Sequence, residues 1–132
     1  MYEILLALDT AEERARSQAE AVVDLPDAPD SVHVTVFHVF RDNPEGASVT
    51  QLATVHAVRD VLDEAGIDYS LSESSGDPAP EILDEASDRD VDCICVSGRR
   101  RSPAGKALFG STTQGIILDA DRPVLVAPPQ EK

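Results

Sequence analysis

The sequence predicts an α/β fold: a doubly wound, mainly parallel sheet of five strands with helices on both faces. Five short runs rich in β-branched and aliphatic residues alternate with amphipathic segments, in the order βαβαβαβαβ. Helical crossovers between strands imply parallel pairing, and near-continuous apolar runs are typical of strands covered on both faces. At 132 residues the chain, 1–132, is expected to form a single domain.

The first half of the chain contains two predicted strands and two predicted helices. Tyr2–Leu8 is almost continuously apolar, and because no basic segment precedes it we interpret it as a strand and not as a signal peptide. Glu12–Asp24 carries Ala and Val at helical spacing, and Val32–Phe40 is β-branched and aromatic. Ser48–Ala65 has the clearest apolar stripe of any predicted helix, and Gly66 is placed to end it.

The second half continues the alternation. Ile67–Glu73 is a more polar strand, expected at a sheet edge. A helix follows, with Asp77 as its cap and Pro78 in its first turn, where no amide donor is needed. The fourth strand is predicted at Val91–Ser97 and is followed by a loop over 98–109. The last helix is Ser111–Ala120, with Ile116, Ile117 and Ala120 facing inward, and the last strand is Val124–Ala127.

The charge balance is strongly acidic. Asp and Glu number 25 against 11 Lys and Arg, which gives a net charge of −14. Such a field repels nucleic acid and anionic membranes, and no apolar run approaches the roughly 20 residues of a membrane span. We interpret the acidity as adaptation to a halophilic, high-salt cytosol, where salt screens the self-repulsion; an ordinary acidic protein is the alternative.

The two cysteines indicate a reducing compartment. Cys93 and Cys95 lie two apart in an apolar run, so in a strand they share one face. No second pair exists to complete a zinc site. Buried free thiols are therefore expected, and with them a cytoplasmic location.

The segment 97–114, SGRRRSPAGKALFGSTTQ, carries the candidate chemistry. Four of the eleven basic residues and three of the seven glycines lie here, in the loop after the fourth strand. Glycine allows close backbone approach, and arginine offers a planar fork for phosphate oxygens. Gly110–Thr113 then begins a helix, whose free amides and dipole attract anions. These features favour a phosphate chain, although a solvated basic face or ordinary helix-start chemistry would also produce them.

Two other nucleotide motifs are absent. A P-loop needs GxxxxGK[ST], whereas six residues separate Gly98 from Gly105 and Ala107 follows Lys106. The dinucleotide fingerprint GxGxxG is also missing, since the first strand leads into LALDTAEE.

The chain resembles the universal stress protein family, whose ATP-binding members carry G-x2-G-x9-G-[ST] after the fourth strand. The resemblance extends over ALD-T, FHVF, GDPAPEIL and RPVLVAP. It implies an adenine nucleotide α-hydrolase-like (Rossmann-like) fold that binds ATP, with Mg²⁺ in addition in some members, between strands one and four. The residues it implies for the base and ribose are Ala7, Leu8, Asp9 and the Val39 backbone, with Asp9 at the ribose or metal. Those implied for the phosphates are Gly98, Arg100, Arg101, Gly110, Ser111, Thr112 and Thr113.

This sequence departs from the family pattern in two places. Arg101 stands where the second glycine is expected, and the segment to Gly110 is one residue shorter. Arginine could replace a backbone contact with a charged one or crowd the phosphates. Asp9 could equally serve only as a cap for the first helix.

The expected function is that of an ATP-binding stress or signalling regulator. No general acid–base pair or nucleophile stands out, so at most slow ATP hydrolysis is expected. The resemblance implies a homodimer formed by pairing Val124–Ala127 across a twofold axis, and a short hydrophobic edge suits this. Two alternatives remain: a dimeric interaction module of the same fold that no longer binds nucleotide, and a small enzyme of the wider fold.

Overall fold

One parallel sheet organises the protein in a computed structural model that describes residues 1–41 and 52–128. Its strands are β1 (Tyr2–Ala7), β2 (Val32–Phe40), β3 (Asp68–Ser75), β4 (Cys93–Ser97) and β7 (Val124–Ala127). A separate antiparallel hairpin consists of β5 (Arg100–Arg101) and β6 (Ala107–Leu108). The helices are α1 (Glu12–Val23), α2 (Ala28–Ser31), α3 (Ala53–Ala65), α4 (Pro78–Arg89) and α5 (Ser111–Asp119).

The strand order β3-β2-β1-β4-β7 confirms the predicted doubly wound fold. Every neighbouring pair in this sheet is parallel, and β3 lies at an edge as expected. The chain first moves outward from β1 in one direction and then returns to β4 on the other side. Because right-handed crossovers in opposite directions place helices on opposite faces, a switch point arises between β1 and β4.

Alternation along the strands builds two cores. Ile4 and Leu6 of β1 face a core formed with α1 and α3. Leu5 and Ala7 face a second core formed with α4 and α5. The sheet is thus covered on both faces, which accounts for the continuous apolar runs in its inner strands.

Three sequence predictions are wrong in detail, and a fourth, the cap of α4, is confirmed in position only. Leu52 has an extended backbone and precedes α3, so that helix begins later than predicted; residues 48–51 lie outside the described part of the chain. The predicted loop over 98–109 contains the β5–β6 hairpin. Asp77 occupies the N-cap position of α4, yet its carboxylate makes no cap hydrogen bond. Ile117 is 38% exposed, because it lies about 100° around α5 from the buried Ile116.

Two local predictions are confirmed. Gly66 ends α3 with a φ of 74°, a left-handed conformation that glycine adopts without a steric penalty. Cys93 and Cys95 are free and buried in the same core. Burial raises the pKa of both thiols, so they remain protonated and unreactive.

Within residues 1–41 and 52–128, the helices are all too short or too polar to cross a bilayer.

Candidate functional site

A cleft of about 530 Å³ opens at the carboxyl ends of the central strands, at the switch point between β1 and β4. This is where ligands bind in doubly wound folds, and the volume lies within the roughly 300–1,000 Å³ of small-molecule sites. We call this cleft the crevice. Residues at the ends of β1, β2 and β4 line it, together with residues from α4 and the start of α5.

One half of the crevice is apolar. Strand residues whose side chains face the α4–α5 core reach its floor, and α4 and α5 each add an aliphatic side chain from above. The apolar residues concerned are Ala7, Phe37, Val39, Ile82, Val96 and Ile116. This half suits a flat aromatic group or an aliphatic group of a ligand, because contact between the two removes apolar surface of both from water.

The other half is polar and mostly cationic. Asp9, Thr10 and Ser97 lie at strand ends, and Ser111–Thr113 form the first turn of α5. Three arginines, Arg14, Arg41 and Arg99, also line the crevice. The arrangement suits an amphipathic ligand with an anionic end.

The side chain of Gln18 joins the two strands that flank the switch point. Gln18 is 0% exposed, and its Nε2 donates hydrogen bonds to the carbonyls of Ala7 (2.8 Å) and Cys95 (3.2 Å). Its Oε1 accepts a hydrogen bond from the Asp9 amide at 3.0 Å. The last register pair of β1 and β4 is Leu6 with Cys95, so Gln18 adds hydrogen bonds where the ladder ends.

Asp9 organises the turn between β1 and α1. Its Oδ1 accepts hydrogen bonds from the Ala11 amide and from Arg14 Nε, both at 2.9 Å. The cap position of α1 belongs to Ala11, which has no side-chain cap, so the alternative in which Asp9 serves only as the cap of this helix is wrong. Both members of the Arg14–Asp9 ion pair are largely buried, at 24% and 20% exposure.

The start of α5 is tied to the end of β4. Thr113 Oγ1 donates a hydrogen bond to the Ser97 carbonyl at 3.1 Å, and Ser97 Oγ donates one to the Gly98 carbonyl at 2.7 Å. The guanidinium of Arg99 packs against Gly110, since a methyl group placed there would lie 3.5 Å from Arg99 Nε. A cation and the helix amides therefore lie side by side.

The structure brings most of the predicted site residues together. Ala7, Leu8, Asp9, Val39, Gly110, Ser111, Thr112 and Thr113 all line the crevice. Gly98 is not among the lining residues, and its amide donates to the Ala127 carbonyl at 3.0 Å. The backbone of Arg100 and Arg101 forms β5, and the positions of their side chains lie outside what the structure describes.

Several crevice residues were not predicted as ligand contacts. Arg14 and Arg41 are examples, and Gln18 supports the crevice from behind. Arg99 belongs to the basic segment that was predicted to bind phosphate, although it was not named as a ligand contact. The position of Gln18 could have been noticed in the sequence. It lies three residues after Ala15 and four before Val22, which places it on the inward side of α1. A polar side chain on an apolar helix face requires a buried hydrogen-bond partner.

His38 lines the crevice as a half-buried ring. It makes an edge contact with Phe40 at a centroid distance of 4.4 Å, and its buried Nδ1 has no hydrogen-bond partner among the described residues. Burial lowers the pKa of His38, partly offset by the nearby Glu73 carboxylate. The ring is therefore neutral at physiological pH.

Fold and crevice together define a doubly wound α/β protein with a ligand crevice at its switch point. Residues 1–128 match the universal stress protein family, and the chain belongs to that family.

A universal stress protein from Mycolicibacterium smegmatis is 32% identical over 76 residues. The matched stretch covers 57% of this chain and 58% of that protein, which is less than two thirds of the relative's length.

Solved structures share the fold. The universal stress protein from Archaeoglobus fulgidus has a TM-score of 0.77 at 24% identity, covering 96% of this chain and 98% of its own. A universal stress protein from the same organism in complex with dAMP has a TM-score of 0.71 at 20% identity, covering 96% and 97%. A universal stress protein in complex with cAMP has a TM-score of 0.74 at 17% identity, covering 98% of this chain and 98% of its own. A family member from Arabidopsis thaliana with AMP bound has a TM-score of 0.70 at 14% identity, covering 98% of this chain and 93% of its own.

Replacing Gln18→Leu is expected to lower the free energy of unfolding by about 3 kcal/mol, because it removes three hydrogen bonds made by a fully buried side chain. Urea denaturation followed by circular dichroism measures the change. The same substitution at exposed Gln114 on α5 is the matched control and should have little effect. Equal stability of the two variants would show that the Gln18 hydrogen bonds are not needed.

His38 is expected to make the folded protein less stable as pH falls. Since its folded-state pKa lies below the usual 6.5, the unfolded chain binds a proton first, and stability declines as pH drops from 6.5 through the lower folded-state pKa. His38→Gln should flatten this decline in urea denaturation across a pH series. His56→Gln, which replaces an exposed histidine of α3, is the control and should leave the decline as in the wild type. Superimposable pH profiles for wild type and His38→Gln would contradict the assignment.

Proposed function

We propose that this universal stress protein binds an adenine nucleotide, ATP included, in the crevice, and that occupancy regulates a stress or signalling response. The observation that carries the proposal is the joining of an apolar floor to a cationic helix start within one crevice at the switch point. Membership of the family supports it, as do the fold relatives solved with dAMP, cAMP and AMP.

The two halves of the crevice suit the two ends of a nucleotide. The base would lie on the apolar floor beside Ala7 and Val39, where stacking against buried aliphatic groups removes both from water. The ribose would meet Asp9. The phosphates would meet the free amides and hydroxyls of Ser111–Thr113, with Arg99 beside them.

We further propose that the protein is a regulator and at most a slow ATPase. Among the described residues that line the crevice, Asp9 is the one carboxylate, and it is engaged by Arg14 and by the Ala11 amide. Because both donors engage the same carboxylate oxygen, Asp9 is poorly placed to take a proton from an attacking water.

The setting proposed for this activity is a salt-rich cytoplasm. A net charge of −14 on 132 residues needs counter-ions to limit self-repulsion, and two buried free thiols suit a reducing compartment.

An alternative is a dimeric module of the same fold that has lost nucleotide binding. Arg101 in place of the second family glycine is the observation that favours it.

Nucleotide binding is expected to depend on the start of α5, and Gly110→Asp tests this. Gly110 has an extended backbone (φ −74°, ψ 168°) that any residue adopts, and aspartate is a favourable helix cap. The fold should therefore persist, while the new carboxylate repels phosphate and weakens binding at least about tenfold. Calorimetry with AMP and ATP at molar salt measures the affinity, and phosphate release from the ATP samples should be slow.

Gly110→Asn is the matched control, since it adds a cap of the same shape without charge and should weaken binding less. Wild-type affinity in Gly110→Asp would contradict the placement of the phosphates. A wild-type protein that binds neither AMP nor ATP up to millimolar concentration would refute nucleotide binding and leave the dimeric module.

We also propose a homodimer formed through β7. This strand lies at the sheet edge, is four residues long and consists of apolar residues, so its outer backbone groups are available to a second copy. Light scattering at molar salt should give twice the chain mass of 14.1 kDa. A mass of one chain across the accessible concentration range would exclude the dimer.

A further inference from the structure

The crevice carries positive charge in a strongly negative protein. Arg14, Arg41 and Arg99 line it, against a single lining carboxylate, Asp9, among the described residues. Three cations and one anion give the lining a formal charge of +2, whereas the whole chain carries −14. Of the three arginines, Arg14 takes part in an ion pair that the structure describes.

The residues present do not fit a divalent cation held by the protein. Mg²⁺ in nucleotide sites is bound through one or two carboxylates together with substrate phosphates and water. Here Oδ1 of Asp9 already accepts from the Ala11 amide and from Arg14 Nε, each at 2.9 Å. A divalent ion at Asp9 would therefore lie beside the Arg14 guanidinium, where like charges repel. Across residues 1–41 and 52–128, no three His, Cys, Asp or Glu side chains converge on a point where a metal could bind.

We propose that the crevice binds its nucleotide as a metal-free anion, with arginine side chains as the counter-charges that a divalent cation would otherwise supply. This inference rests on the proposed function and adds which form of the nucleotide is selected. Guanidinium groups suit the task because they remain charged and bind phosphate oxygens in pairs.

Arg14 is the specificity-determining residue in this proposal. Its side chain is three-quarters buried, at 24% exposure, so its charge is screened less by salt than that of a surface arginine. One nitrogen, Nε, is engaged by Asp9, and a guanidinium has four further N–H donors. Arg14 can thus hold the ribose-facing carboxylate in place and still present positive charge to a phosphate.

A competition follows between the protein and Mg²⁺ for the same phosphate oxygens. Metal-free ATP carries two more negative charges than its magnesium complex, so a crevice of charge +2 favours the metal-free form. AMP has a single phosphate group and binds Mg²⁺ weakly, which makes it an internal standard.

The test is calorimetric titration of the full chain with ATP and AMP, each in EDTA and in excess Mg²⁺, at one fixed salt concentration at which circular dichroism shows the chain to be folded. The affinity for ATP is expected to be about tenfold higher in EDTA than in Mg²⁺, and the affinity for AMP to be equal in both. In Arg14→Gln the EDTA-to-Mg²⁺ ratio for ATP should fall at least about threefold. Arg16→Gln removes the same charge from an exposed position on the same helix and should leave the ratio as in the wild type.

The outcomes separate this inference from the proposed function. AMP binding establishes the nucleotide site whatever ATP does. If AMP binds while ATP binds equally well or more tightly with Mg²⁺, metal-free selection is overturned and nucleotide binding stands. If Arg14→Gln weakens ATP and AMP alike but keeps the ratio, Arg14 only positions Asp9 and the specificity role is overturned. If neither nucleotide binds in either buffer, both proposals fail.

Discussion

The rim of the crevice depends on the hydrogen bonds of one buried amide, that of Gln18. At a switch point the chain leaves two neighbouring strands toward opposite faces of the sheet, so backbone groups at the strand ends need further partners. Gln18 donates to the carbonyls of Ala7 and Cys95, one from each strand, and accepts from the Asp9 amide with its oxygen. Because buried hydrogen bonds are costly to lose, this side chain holds the ends of β1 and β4 and the turn that follows β1 in one arrangement. The same contact fixes Asp9 at the rim, where Asp9 in turn holds Arg14.

The fold could be read from the sequence because its signals are local and repeated. The apolar runs of β1, β2 and β4 and the stripe of α3 each extend over several residues, so strand and helix periods are distinguishable. The β5–β6 hairpin was not predicted, since two-residue strands are too short to show alternation. Ile117 was placed inward wrongly because α5 has only nine residues, and an apolar run of that length does not define which side faces the sheet.

The site was partly predictable for a related reason. Parallel strands bring their carboxyl ends to one edge, so Asp9 after β1 and Gly110–Thr113 after β4 could be expected to meet. Arg14 and Arg41 could not, because nothing in a chain of 25 acidic and 11 basic residues distinguishes an arginine that points into a crevice from one that balances the surface. That distinction depends on side-chain geometry, as the ion pair of Arg14 with Asp9 shows.

A regulatory role requires that the crevice be connected to a surface that another molecule can contact, and the structure contains a short connection. Thr113, in the first turn of α5, bonds the Ser97 carbonyl. The next amide, that of Gly98, bonds the carbonyl of Ala127 at the end of the edge strand β7. The backbone of Ser97–Gly98 therefore belongs both to the crevice wall and to the support of the sheet edge. If a second molecule pairs with that edge, as proposed above, a ligand influences the pairing only when both favour the same position of the Ser97–Gly98 segment. Two hydrogen bonds separate the helix start from β7, so a ligand that moves α5 acts on a segment that is bonded directly to the edge strand.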